Sequence, residues 1–186
     1  MEPAGPLASD LRDPDRTKPN PWLGHGRQHA HQGSPFGRRR KRGAYLQALG
    51  QSRGGKTSKL HALTDGQGRP RVLLLTAGNI NDISIARALL QRIGPIRRLI
   101  ADRGYDANHL RQFLAEQQAE AVIPSTRSRR APIAYDAVAY KDRNRIERMW
   151  CRLKDWRRIA TRYDKLARNF LSAAYLAAIF TCWAAN

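Results

Sequence analysis

Residues 97–125 read RRLIADRGYDANHLRQFLAEQQAEAVIPS, two short apolar runs on either side of a stretch with helical spacing. Strands joined by so short a strand-helix unit favour parallel pairing, since the crossover helix returns the chain to the same end of the sheet. This unit favours parallel pairing in the later part of the sheet. Upstream, TSKLHALTD and RPRVLLLTAG flank the turn signal Asp65-Gly66-Gln67-Gly68, which predicts a hairpin whose nearly all-apolar second strand is central. NDISIARALLQRI follows as a helix, with Asn81 or Asp82 as N-cap and Gly94-Pro95 as its stop. Helices are expected from about Asp142 to Arg158 and from about Asp164 to Ala184, with the polar basic loop TRSRRAP before them. The sum is a mixed α/β layer architecture with a central sheet.

Order is expected to begin near Lys56. Residues 1–42, rich in Pro, Gly, Arg and His and ending in RRRKR, show neither period and read as a disordered basic arm. His25, His29 and His31 within it read as solvated side chains, since no fixed scaffold or second ligand pair accompanies them. With 186 residues the chain supplies one core, and 34 Lys and Arg against 15 Asp and Glu leave a net charge of +19. Such a balance calls for a polyanionic partner, nucleic acid first. No run of apolar residues is long enough for a membrane span, and the N-terminus lacks the pattern of a secretion signal. A cytoplasmic, nucleoid-associated protein is the expectation. Cys151 and Cys182 lack metal-ligand spacing and read as packed thiols.

Two carboxylates stand out. Asp102 directly follows the apolar strand Leu99-Ile100-Ala101, at the carboxyl end where functional groups gather in such sheets. Glu147 lies in YKDRNRIERMWCRLK, residues 140–154. With Arg143 at zero and about 100° per residue, Glu147 falls near about 40°, Lys154 near about 20° and Tyr140 near about 60°. Ile146, Met149, Leu153 and Trp156 occupy another arc, about 220° to 300°, and form the packing seam. On the helix alone, Arg143 and Glu147 read as an exposed i,i+4 pair, and Asp102 alone as a turn or cap residue. Taken together in a basic α/β domain, a strand-end and a helix carboxylate have the hard oxygen ligands that hold Mg²⁺ for phosphoryl transfer, with Arg and Lys holding the DNA backbone.

The spacing Tyr, two residues, Arg, three residues, Glu, six residues, Lys is met by Tyr140, Arg143, Glu147 and Lys154. It resembles the signature of the DDE transposases of bacterial insertion sequences, in the IS-four-like superfamily and its IS-five group. SRGGKTSKLHAL, LTAGNINDI, IADRGYDA and RRIATRYDKLARNFLSAAYLA resemble the same group, so the likeness covers residues 43–186. It implies a transposase catalytic domain over that range with an RNase H-like mixed sheet flanked by helices, and a site of Asp, Asp and Glu binding two Mg²⁺ (or Mn²⁺) ions. The implied partners are double-stranded DNA, both element ends and target, and further copies of the chain on that DNA. The implied reaction has water attack a phosphodiester and the freed 3′ hydroxyl attack target DNA, without a covalent protein intermediate. Asp102 matches the second acidic residue and Glu147 the third, both catalytic and metal-binding; Tyr140, Arg143 and Lys154 match residues that meet DNA.

One residue of that pattern is missing. Ala30-His31-Gln32 resembles the stretch that follows the family's first Asp, but the positions upstream are Gly24-His25-Gly26, with no strand pattern around them. Asp10, Asp13 and Asp15 lie in Pro-rich sequence and Asp65 in a turn, so none substitutes. The expectation is a sheet lacking or degenerate in its first strand, from an N-terminally truncated or frame-disrupted copy or from the second product of a frameshifted element. A non-catalytic DNA-binding remnant or inhibitor is the main alternative. An RNA-associated basic protein accounts for the charge but not for the four-residue spacing.

Overall fold

The computed structural model describes residues 22–30 as backbone, and residues 47–52 and 55–184. The strands are β1 (Trp22–Ala30), β2 (Gly50–Ser52), β3 (Gly55–Thr64), β4 (Pro70–Ala77), β5 (Arg98–Ala101), β6 (Glu120–Val122) and β7 (Thr161–Arg162). The helices are α1 (Asp82–Gln91), α2 (Asn108–Glu116), α3 (Ala137–Tyr140), α4 (Asn144–Lys154), α5 (Arg157–Ala160) and α6 (Ala167–Cys182), with 3₁₀ turns at Arg103–Tyr105 and Lys141–Arg143. One sheet runs β2-β3-β1-β5-β6, with β4 also paired to β3 and β7 to β1. The predicted hairpin is β3–β4, antiparallel, and the predicted parallel unit is β5–β6.

Helices cover both faces, and strand alternation sorts the side chains between them. Leu60, Ala62, Leu73 and Ile100 face α4, α5 and α6 in one core. Leu63, Val72, Leu99 and Ala101 face α1 and α2 in the other, together with Tyr105, Leu110 and Phe113. β3 is buried from Thr57 to Thr64, so its polar side chains find partners inside. Lys59 Nζ donates to the Ile80 carbonyl at 2.8 Å and to Asp82 Oδ1 at 3.0 Å, which fastens the start of α1 to the sheet. The buried Arg162 guanidinium donates to Ser58 Oγ and to the carbonyls of Asp164 and Lys165.

Three expectations are corrected. A strand does exist upstream of residue 43: β1 runs antiparallel to β3 from Trp22↔Thr64 to His29↔Thr57, and parallel to β5 and then β7 on its other side. WLGHGRQHA hides it because backbone pairing on both sides, rather than an apolar run, defines it. Residues 1–21 and 31–42 of the predicted arm lie outside the described residues. β4 is an edge strand, pairing only with β3 among the described residues. Its apolar run reports burial of both faces, which helices supply here, and not a central place. The outward N–H of Leu73 donates to the Tyr175 hydroxyl at 3.2 Å, which donates in turn to the Leu73 carbonyl at 2.9 Å, closing that edge. Tyr175→Phe is expected to cost about 1 kcal/mol in urea unfolding; an unchanged midpoint would show the edge bonds to be dispensable.

The third correction concerns the predicted helix from Asp142 to Arg158, which is broken. α4 stops at Lys154, and Trp156 leaves the seam for the surface, where it stacks on Phe180 and donates to Thr181 Oγ1 at 2.9 Å. Cys182 is buried, as a packed thiol should be, whereas Cys151 is exposed.

Candidate functional site

Asp102 ends β5 in extended backbone, with φ −75° and ψ 171°, and caps the 3₁₀ turn behind it by accepting the Gly104 N–H at 2.8 Å. Ile100 points to the face covered by α4, so two residues on Asp102 shares that face by strand alternation. β5 packs directly against α3 and against the 3₁₀ turn Lys141–Arg143, and α4 packs against β1. The strand-end carboxylate and the helix bearing Glu147 therefore lie on one side of the sheet.

α4 keeps the predicted division. Ile146, Met149, Trp150 and Leu153 are buried, while Glu147 and Lys154 are exposed. Arg143 Nη2 lies 2.7 Å from Glu147 Oε1, with the side chains 34% and 52% exposed, so the pair predicted from the spacing forms in water and contributes little to stability. The Arg143 guanidinium also sits 5.7 Å over the Tyr140 ring, and Tyr135 meets Tyr140 edge to face at 5.5 Å. Tyr140 joins the two halves electrostatically. Burial pushes its hydroxyl pKa up; Arg143 pulls it down and Asp102 adds to the upward push. Asp102, Tyr140, Arg143 and Glu147 are thus one neighbourhood, with Lys154 two helical turns beyond Glu147 on the same face.

The position opposite Asp102 follows from register. β1 pairs with β5 as Trp22↔Ile100 and Leu23↔Ala101, the last parallel pair, so the same register carried on by one residue would bring Gly24 beside Asp102. Past that point β5 departs, and β1 is next joined on this side at His29 by β7. No acidic residue occurs anywhere in WLGHGRQHA. Asp102 and Glu147 are hard oxygen donors of the kind Mg²⁺ takes, but among the described residues no group of three His, Cys, Asp or Glu could hold a metal ion. Among the described residues the donors do not make up a complete divalent-ion site.

Asp106 is the residue that sequence reasoning missed. Its side chain is fully buried and takes four hydrogen bonds. Arg111 Nε donates at 2.8 Å, Arg129 Nε and Nη2 at 3.0 and 2.9 Å, and the Thr126 backbone N–H at 2.7 Å. Burial raises its pKa, but Arg129, Thr126 and Arg111 outweigh burial and hold the carboxyl well below the usual carboxylate range. It ties the turn after Asp102 to the basic loop at 126–130, whose Arg127 and Arg130 are exposed. The one signal for it was an acidic residue about twenty positions ahead of an arginine-rich loop.

Residues 29–182 match the family model described as "Transposase DDE domain". A putative transposase for insertion sequence element IS6501 from Brucella ovis is 38% identical over 122 residues, which cover 65% of this chain and 94% of that protein. A putative transposase for insertion sequence element IS402 from Burkholderia cepacia is 31% identical over 137 residues, covering 68% of this chain and 63% of that protein. No helix among the described residues is long and apolar enough to cross a membrane.

Proposed function

Because the chain belongs to the transposase DDE-domain family, we propose that it is an insertion-sequence transposase chain that binds element-end DNA and carries an incomplete carboxylate set of its own. The single observation that carries this reading is the register of β1 on β5, whose pairs Trp22↔Ile100 and Leu23↔Ala101, carried on by one residue, would bring glycine and not a carboxylate beside Asp102. We take the sheet as RNase H-like: the order β4-β3-β1-β5-β6, with β3 antiparallel and β5 parallel to β1, supports that assignment, as does a carboxylate helix packed on the central strand. The domain expected over residues 43–186 then extends back to β1 (Trp22–Ala30) as its first strand.

The residues divide the work by their chemistry. Arg143 and Lys154 meet phosphate oxygens that Asp102 and Glu147 would repel, and Tyr140 stacks or hydrogen-bonds beside them. Asp102 and Glu147 would be two of the oxygen donors to Mg²⁺ or Mn²⁺, which would supply Lewis acidity at a phosphodiester. With two of three carboxylates, strand transfer by the isolated chain is weak or absent while DNA binding is retained. Homo-oligomers on DNA and a grouping within the IS-four-like superfamily, IS-five group, belong to the same reading. So does descent from a frame-disrupted copy or a frameshifted element.

The test is a strand-transfer assay with purified 1–186 beside a DNA-binding titration. Binding that weakens steeply with salt, without joining, is the expected result; robust Mg²⁺-dependent joining overturns the proposal. Glu147→Ala should leave DNA affinity and, to within about 0.5 kcal/mol, stability unchanged, since it deletes an exposed pair. A large fall in either measurement would assign Glu147 to folding or to backbone contact instead.

A further inference from the structure

α6 is apolar on both of its sides. Phe170, Ala174 and Ala178 lie in the core shared with α4. At about 100° per residue, Leu176, Ile179, Phe180 and Trp183 fall within an arc of about 100° on the opposite side, as positions i, i+3, i+4 and i+7 of one seam. All four are exposed, Leu176 at 57%, Ile179 at 50% and Phe180 at 59%. A helix that covers a sheet ordinarily turns polar residues outward, and one that is apolar all round is covered on both sides. No charged residue occurs from Asn169 to Asn186. Trp156 widens the stripe by stacking on Phe180 at 6.4 Å, and the groove of about 340 Å³ beside them is lined by Ile159, Ala173 and Leu176.

We propose that this stripe is the contact between two copies of the chain, packed as an antiparallel pair of α6 helices about a twofold axis. It gives the oligomers of the reading above a surface, and it forms without DNA. Spacing carries the pairing. With the axis between Ile179 and Phe180, Ile179 of one copy faces Phe180 of the other and Leu176 faces Trp183, so each aromatic ring meets a branched aliphatic side chain. Arg168, the one charged residue of α6, lies about two turns before Leu176 and outside the overlap. Area points the same way. An aromatic side chain carries about 150–250 Å², so at the observed exposures the stripe with Trp156 and Tyr175 presents on the order of 500 Å². Such a patch is large for a monomer, and two facing each other bury about 1,000 Å², the area a specific interface needs. An uncharged surface offers the phosphates of DNA nothing.

The experiment is sedimentation velocity of the full chain at high salt without DNA, beside Leu176→Gln/Phe180→Gln and Val138→Gln. The last removes an apolar side chain that is 77% exposed but lies on α3, away from the stripe. Wild type and Val138→Gln should sediment as dimers and Leu176→Gln/Phe180→Gln as a monomer, its dissociation constant raised by about thirtyfold or more. The melting midpoint of the wild type should rise with protein concentration and that of the double variant should not. The two should converge on dilution, because neither exposed side chain supports the fold of a single copy. A wild type that stays monomeric at its highest soluble concentration, or a dimer that survives Leu176→Gln/Phe180→Gln, overturns the inference. So does binding of the wild type to anionic phospholipid vesicles that the double variant loses, which gives the stripe to a membrane, and so does crosslinking of the stripe to residues 1–21 of its own chain. A dimer with no salt-dependent affinity for duplex DNA upholds the inference and defeats the transposase reading.

Discussion

Gly24→Asp is expected to raise Mg²⁺-dependent nicking of supercoiled plasmid by about a thousandfold, as several kcal/mol of transition-state stabilisation would. The argument is positional. Gly24 follows Leu23 of the last parallel pair as Asp102 follows Ala101, and it pairs across with Ala62, whose side chain lies in the core under α4, so a side chain at position 24 would project to the face of α4 and Glu147. A carboxylate there completes a set of three. Glycine inside a strand gives no side-chain packing, so the substitution removes none. Gly24→Asn, equal in size and neutral, should stay at background, as should Gly24→Asp/Glu147→Ala and any variant in EDTA. Equal nicking by the Asp and Asn variants would show that position 24 is not where the family's first carboxylate acts.

Asp106→Ala is expected to destabilise the chain by about 3–5 kcal/mol, because it strands Arg111 and Arg129 beside a cavity that held their counter-charge. That is a large part of a typical domain's total, and the melting midpoint should fall by on the order of 10 °C. Its pH signature follows from the direction of the shift. The folded pKa lies below the unfolded value of about 3.9, so the contribution is fully present above that pH and is lost as pH falls toward the folded value. Urea unfolding at pH 7 and pH 3 should show the wild type losing more stability on acidification than Asp106→Ala. Identical acid sensitivity of the two would remove Asp106 from the account.

Local pattern revealed the local parts of this fold and site. The Tyr140, Arg143, Glu147 and Lys154 stripe was visible because helix phase is set by neighbours in sequence, and the ion pair it implied forms. Asp102 was visible because the three-residue apolar run Leu99-Ile100-Ala101 ended beside it. What escaped depends on contacts distant along the chain. β1 is a strand by virtue of β3, β5 and β7, and its own residues carry no alternation that would announce it. Trp156 fitted the seam by angle, but α4 ended two residues earlier and the indole went to Phe180 and Thr181 on α6. Asp106 and Arg129 lie 23 positions apart, and nothing near either one in sequence shows that they meet.

The parallel register has a consequence in the genetic code. Every glycine codon becomes an acidic codon through a single G-to-A transition at its second base, giving Asp or Glu. A chain whose first strand keeps its place beside Asp102 with glycine at the facing position is therefore one base change from presenting a third carboxylate. Where the first carboxylate was lost by substitution in frame, reversion is a point mutation rather than the reassembly of an enzyme, whereas a frame-disrupted copy would need its frame restored as well.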